Sequence, residues 1–219
     1  MHRLQTMNHR RLFLFAVAAA LLVAQPGCGF MSHVMYWARG NPVDAKFGGL
    51  KKKTVAVVCF DPTMSGPGNH ADALAKSVGS KLAQNVEKIT VVPHSKVADW
   101  LDGQSDQVAD FVEVGKGVKA DMVVGIDLDS FRTHDGPTLL RGRARVTVTV
   151  YDLTQGGKVV YQTPVDNVTY PKTGARPAGE NESGFRTLFI DILAKQVAKD
   201  FYTYDRVEDY ALDGLYMGD

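Results

Sequence analysis

Apolar and polar positions follow two different periods along this chain, and the changes of period mark its elements. Thr54-Val-Ala-Val-Val-Cys-Phe60 is a continuous apolar run, the pattern of a strand buried on both faces. The period then becomes helical. Ala71, Leu74, Ala75, Val78, Leu82 and Val86 recur at three- and four-residue steps, which predicts a helix from a cap at Asn69 to about Glu87. Ile89–Val92 reads as a second short strand closed by Pro93. Ser95 is the expected cap of a helix holding Val97, Trp100 and Leu101, with Gly103 as its stop. Ser105 is the expected cap of another, with Val108, Phe111 and Val112, ended by Gly115 and Gly117.

Period-two patterns follow. In Met122–Phe131, Val124, Ile126 and Leu128 alternate with Gly125, Asp127 and Asp129. In Arg141–Tyr151, Ala144, Val146, Val148 and Val150 share one side; Arg143, Arg145, Thr147, Thr149 and Tyr151 share the other. Asp152–Gly157 predicts a hairpin connection, and Lys158–Thr163 the return strand. A polar loop, Pro171–Glu182, precedes a helix expected to open at Ser183. Its stripe is Phe185, Leu188, Phe189, Ile192, Leu193 and Val197, and it reaches Phe201. This stripe is expected to pack on the sheet face lined by Val146 and Val148. The order β-α-β-α-α-β-β-β-α defines an α/β fold: a single domain over 51–204 with a mixed parallel/antiparallel sheet and packed helices. Residues 205–219 form an acidic-aromatic tail without a continuous stripe.

The amino terminus has a different character. Arg3, Arg10 and Arg11 precede 13 apolar residues, Leu12–Ala24. That is short of the roughly 20 a membrane-spanning helix requires and fits a signal peptide, 1–27. Gly27-Cys28 at its end resembles a bacterial lipobox, in which cleavage leaves Cys28 to carry diacylglycerol and acyl (palmitate) chains. Gln25 and Pro26 depart from that motif's usual residues. Plain secretory cleavage and a buried amino-terminal helix are the alternatives, and Pro26, Gly27 and Gly29 weigh against the helix. Arg10-Arg11-Leu12-Phe13-Leu14 also resembles a twin-arginine export motif. Residues 28–50 read as a lipidated tether.

Composition narrows the function. The formal charge is +1 over 219 residues, without the basic excess that nucleic acid calls for. Removing residues 1–27, with three Arg and no acid, takes the charge to −2. Cys59 is then the sole thiol besides Cys28 and lies in an apolar run, so it is expected to be buried. Gly66-Pro67-Gly68-Asn69-His70-Ala71 fits G-x-G-x-x-A, but no acidic residue closes the second strand as a dinucleotide fold would want. Asp121, Asp127 and Asp129 share a parity that suits either a cation or a polar sheet face. His33, His70, His94 and His134 are scattered, and no nucleophile motif is present. No metal and no cofactor is therefore expected. The row Arg141, Arg143, Arg145 with Tyr151 is the candidate interaction surface, for a phosphate, an acidic polymer or a partner protein.

The succession resembles the amino-terminal domain of TolB and related envelope lipoproteins. The resemblance rests on Thr54–Pro62, on Leu74–Val92 closing in Val-Val-Pro-His-Ser95, on Gly117–Gly125 and on Val146–Gly156. It covers about 54–165 plus the last helix. It implies a noncatalytic module that binds envelope proteins, on the membrane through Cys28, in the outer membrane facing the periplasm. The partner is not named by the residues, and a homo-oligomer stays open. The alternative class is a periplasmic small-ligand or nucleotide-binding protein, or an enzyme, using the 61–70 loop.

Overall fold

The computed structural model describes residues 42–61, 70–104, 110–179 and 181–205. The signal segment with Cys28, the Asn69 and Ser105 caps, most of the 61–70 loop and residues 206–219 lie outside the described residues. Residues Asp44–Tyr204 make one compact unit. Of the other, Met1–Val43 with Asp205–Asp219, only Pro42, Val43 and Asp205 are described, and they are extended.

The expected order is present: β1 (Thr54–Phe60), α1 (His70–Asn85), β2 (Thr90–Val91), α2 (His94–Asp102), α3 (Phe111–Gly117), β3 (Met122–His134), β4 (Leu139–Asp152), β5 (Lys158–Tyr170) and α4 (Glu182–Ala198). A two-residue β6, Arg176–Pro177, lies between β5 and α4 and pairs with β4. The strands line up as β2-β1-β3-β4-β5. β1 runs parallel to β2 and β3, with Val57 opposite Val124 and Cys59 opposite Ile126. β3, β4 and β5 are antiparallel. The fold is thus a mixed α/β domain, with four α-helices among the described residues. β1 is buried from Val55 to Cys59 because it has neighbours on both edges and helices on both faces.

One face carries the larger core. α1 and α4 lie on it with Ala71, Leu74, Val78, Leu82, Phe185, Phe189 and Leu193 against Val124, Ile126, Val146 and Val148. The Phe189 ring is fully buried. Burying a side chain of this size contributes about 1.5–3 kcal/mol. The stripe on α4 is wider than the expected one. Ile190, Ala194 and Ala198 are buried, whereas Leu188 and Ile192 are half-buried. The cause is that α4 packs on α1 as well as on the sheet. Asp191 on α4 accepts from Ser77 at 3.1 Å and pairs with Lys81 of α1 at 2.7 Å.

The caps differ from the expected ones. α4 is capped by Asn181, whose Oδ1 accepts from the Gly184 N–H at 2.9 Å, so Ser183 lies inside the first turn. α3 is capped by Asp110, which accepts from Glu113 N–H at 2.8 Å, and α2 begins after Pro93 with Ser95 within it. Gly115 is not a stop. It lies in α3, where a Cβ would run into Val123 and Leu153, so it marks a close helix–sheet contact.

β5 also outruns its expected end at Thr163, continuing through Pro164 to Tyr170. It is an edge strand, and an edge tolerates a residue without an N–H. A register shift between the Ala144 and Val146 pairings absorbs Asp166 and Asn167. Residues 44–50, read as tether, pack on the domain. Phe47 stacks on Tyr161 at 5.2 Å, Leu50 is fully buried, and Asp200 accepts from the Tyr161 hydroxyl at 3.0 Å and pairs with Lys46 at 2.8 Å.

The β4–β5 connection is held by Asp152. Its carboxylate accepts from the Thr154 hydroxyl at 2.6 Å, the Thr154 N–H at 2.9 Å and the Gln155 amide at 2.6 Å. These bonds, the Thr154 hydroxyl foremost, hold the Asp152 carboxyl below the usual carboxylate range against the opposing effect of burial. A folded pKa below the unfolded one gives stability that is present above the unfolded value, about 3.9, and is lost as pH falls through the folded value. Asp152→Asn is therefore expected to lower stability at neutral pH and to flatten its decline below about pH 4. Denaturant melts from pH 7 to 3 check this, and an acid limb as steep as wild type would contradict it.

Candidate functional site

The second face of the sheet is covered along only part of its length. α2 and α3 close a smaller core there, with Val58, Val97, Phe111, Val114 and Val123. Phe111 lies over Gly125, where a Cβ would sit 2.8 Å from its ring. The ring stacks with Phe60 at 4.7 Å and with Tyr151 at 5.8 Å. Tyr151 therefore belongs to this aromatic stack. Burial, helped by the Asp127 charge, pushes its hydroxyl pKa up.

The arginines lie further along β4. Arg145 is six residues from Tyr151, about 20 Å at strand rise. The structure brings Arg141, Arg143 and Arg145 together and leaves Tyr151 with the covered half. Arg143 and Arg145 are exposed. Arg143 donates to Asp135 at 2.9 Å, Arg141 reaches the same oxygen at 3.8 Å, and Arg145 pairs with Asp166 at 3.1 Å. Arg141 also donates to the Lys172 carbonyl at 3.2 Å. Its Nε is buried and has no hydrogen-bond partner among the described residues.

Arg132 is a further member of this group, which alternation along β4 does not reveal. It lies on β3 directly opposite Arg143 and is exposed. Period two carried on from Val124, Ile126 and Leu128 would put Arg132 on the core side; the register shift between the Asp127 and Ser130 pairings reverses that parity and turns it to the open face. The rest of this open face is polar and internally bonded. Thr147 donates to Asp129 at 3.2 Å, and Gln162 to Thr149 at 3.3 Å.

The three aspartates considered for a cation are divided among separate tasks. Asp121 accepts from the Thr54 N–H at 2.8 Å and clamps the start of β1 to that of β3. Asp127 is half-buried, and desolvation, with the Asp129 charge, pushes its carboxyl up. Among the described residues, no three His, Cys, Asp or Glu side chains gather as a metal site would need. His70 lies on the Phe131 ring at 4.3 Å, and burial followed by Arg186 lowers its pKa. The Cys59 thiol is buried and its pKa is pushed far up by desolvation, which suppresses the reactive thiolate.

An open groove of about 490 Å³ lies beside β2, lined by Val57, Lys76, Ser80, Val91 and His94 among others. His94 Nε2 is 3.9 Å from Asp72, and its Nδ1 is buried without a partner among the described residues. No described helix is long and apolar enough to cross a membrane.

The class is thus an α/β domain with two helices on one sheet face and two short helices on half of the other. The remaining half is exposed and rich in arginine. No family model and no curated protein matches the chain. Among solved structures it is similar to the PelC dodecamer from Paraburkholderia phytofirmans, at 12% identity over 74% of this chain and 96% of that one, TM-score 0.42. It is similar to lipoprotein GNA1162 from Neisseria meningitidis, at 13% identity over 66% and 97%, TM-score 0.41. It is also similar to a minor lipoprotein from Acinetobacter baumannii, at 16% identity over 67% and 90%, TM-score 0.32. Likeness at this level assigns no role to any residue.

Proposed function

We propose that this chain is a lipid-anchored bacterial envelope protein whose α/β domain, of the TolB amino-terminal type, is a noncatalytic protein-interaction module. In this reading, Cys28 carries the lipid and the domain faces the periplasm from the outer membrane. The observation that carries the interaction role is the half of the sheet left open by α2 and α3, with Arg141, Arg143 and Arg145 on it. An open, charged sheet face suits a macromolecular partner better than a small substrate, which favours concave sites. The anchor is supported by the arginine-flanked apolar run that ends in Gly27-Cys28. The alternative that uses the 61–70 loop rests mostly on residues outside those described.

The test of the anchor is Cys28→Ala expressed in the native host. One acyl chain gives only marginal attachment, whereas two or three retain a protein firmly. The variant is expected to lose its acyl mass and to leave the membrane fraction. Unchanged acylation and fractionation would overturn the lipid anchor. Density-gradient separation of the wild-type membranes tests the outer-membrane placement.

A further inference from the structure

The open end of the sheet has more cations than it neutralises. Arg141 and Arg143 share one carboxylate there, Asp135, and Arg132 stands across the strand pair from Arg143. Arg132 has no ion pair or hydrogen bond among the described residues and is exposed, and it stands directly opposite Arg143. Like charges directly opposite on an antiparallel pair oppose folding, so the fold retains this arrangement at a cost. The buried Nε of Arg141 is a further donor without an acceptor among the described residues. Arg145 continues the row two residues on, about 7 Å along the strand.

We propose that this face binds an extended acidic segment of a partner polypeptide, which lies along β4 and places alternate carboxylates on Arg143 and Arg145 while Arg132 takes a third. The inference rests on the reading of the domain as a protein-binding module and names that partner's chemistry. Spacing supports it. Carboxylates at every second residue of an extended chain repeat at about 7 Å, as the arginines do. A guanidinium presents a planar fork that suits a carboxylate. Asp135 and Asp166 already occupy Arg143 and Arg145 at 2.9 and 3.1 Å, so an incoming carboxylate exchanges with an internal one. Binding is then modest and salt-sensitive. Asp129, Asp135 and Asp166 on and beside this face disfavour a flat anionic membrane, because side chains of a peptide can pass between these acids and a planar surface cannot.

The test uses the full chain in detergent and a fluorescent peptide with Glu at every second position, beside the same peptide with Gln for Glu. The Glu peptide is expected to bind at least tenfold tighter at low salt and to lose most of that advantage at 0.5 M salt. Arg132→Ala with Arg143→Ala is expected to remove the advantage while the thermal melt stays within a few degrees of wild type. No preference for Glu over Gln, or a preference that survives in the double variant, overturns the proposal. Vesicles with and without phosphatidylglycerol separate a membrane role. A wild-type preference for the anionic vesicles that the double variant loses assigns the face to lipid and likewise overturns it. Cross-linking in the envelope distinguishes the two levels. If a partner is captured equally by wild type and double variant, the interaction module stands and only this surface is wrong. If no partner is captured by either, the module reading itself fails.

Discussion

Phe189→Ala is expected to lower the stability of the domain by about 3–5 kcal/mol, the range for removing a buried phenylalanine. The ring is fully buried at the centre of the α4–sheet contact, 5.4 Å from Phe131. The neighbouring backbone is held by β3–β4 and β4–β5 pairing, so the site can collapse only partly and the cavity term stays large. Domains of this size have about 5–15 kcal/mol in total, so the variant is near or past the point of unfolding. Urea melts of purified protein give the result directly as a lower midpoint at similar slope. Leu188→Ala, one residue away but half-buried, is expected to cost clearly less. If the two variants melt together, α4 does not seat Phe189 as described.

Gly142→Val should fail for the reciprocal reason. Gly142 is buried on β4 opposite Tyr170, and a Cβ there would overlap the Phe189 ring. By strand propensity alone, valine is the better residue. The contact reverses that sign, and overpacking of this kind costs about 1–3 kcal/mol, occasionally more. The colliding atoms belong to an aromatic ring held on all sides, so the upper end is expected. The double variant Gly142→Val/Phe189→Ala supplies the check. The new methyl groups enter the space left by the ring, so the double variant should be more stable than the sum of the two single losses implies. Strict additivity would show that Gly142 and Phe189 do not meet.

The candidate site was legible in the sequence only in part. Alternation along β4 correctly assigned Arg141, Arg143 and Arg145 to one side and Val146 and Val148 to the other, because period two follows from backbone geometry alone. It also grouped Tyr151 with the arginines. Both descriptions of parity hold, yet Tyr151 is stacked under Phe111 while Arg145 is exposed. What separates them is α3, which reaches only half of the face. Nothing in the β4 segment encodes that reach. Arg132 was not legible, because the register shift on β3 reverses the parity that leads to it, and its cross-strand position opposite Arg143 depends on register.

The order of the main elements and the buried sides of β1 and α1 are written in the chain's local pattern. Those are consequences of local periodicity and of breakers such as Pro93 and Gly103, which act within a few residues. The rest came from packing between segments. It placed β5 at an edge, where Pro164 is tolerated. It widened the buried arc of α4 to include Ile190 and Ala194, because α1 is a second packing surface. It drew Lys46 and Phe47 onto the domain through Asp200 and Tyr161, and it buried Leu50 in the larger core. Each outcome depends on contact between segments far apart in the chain. A local pattern records that a side chain is to be covered, but which segment covers it is settled only when the layers are assembled.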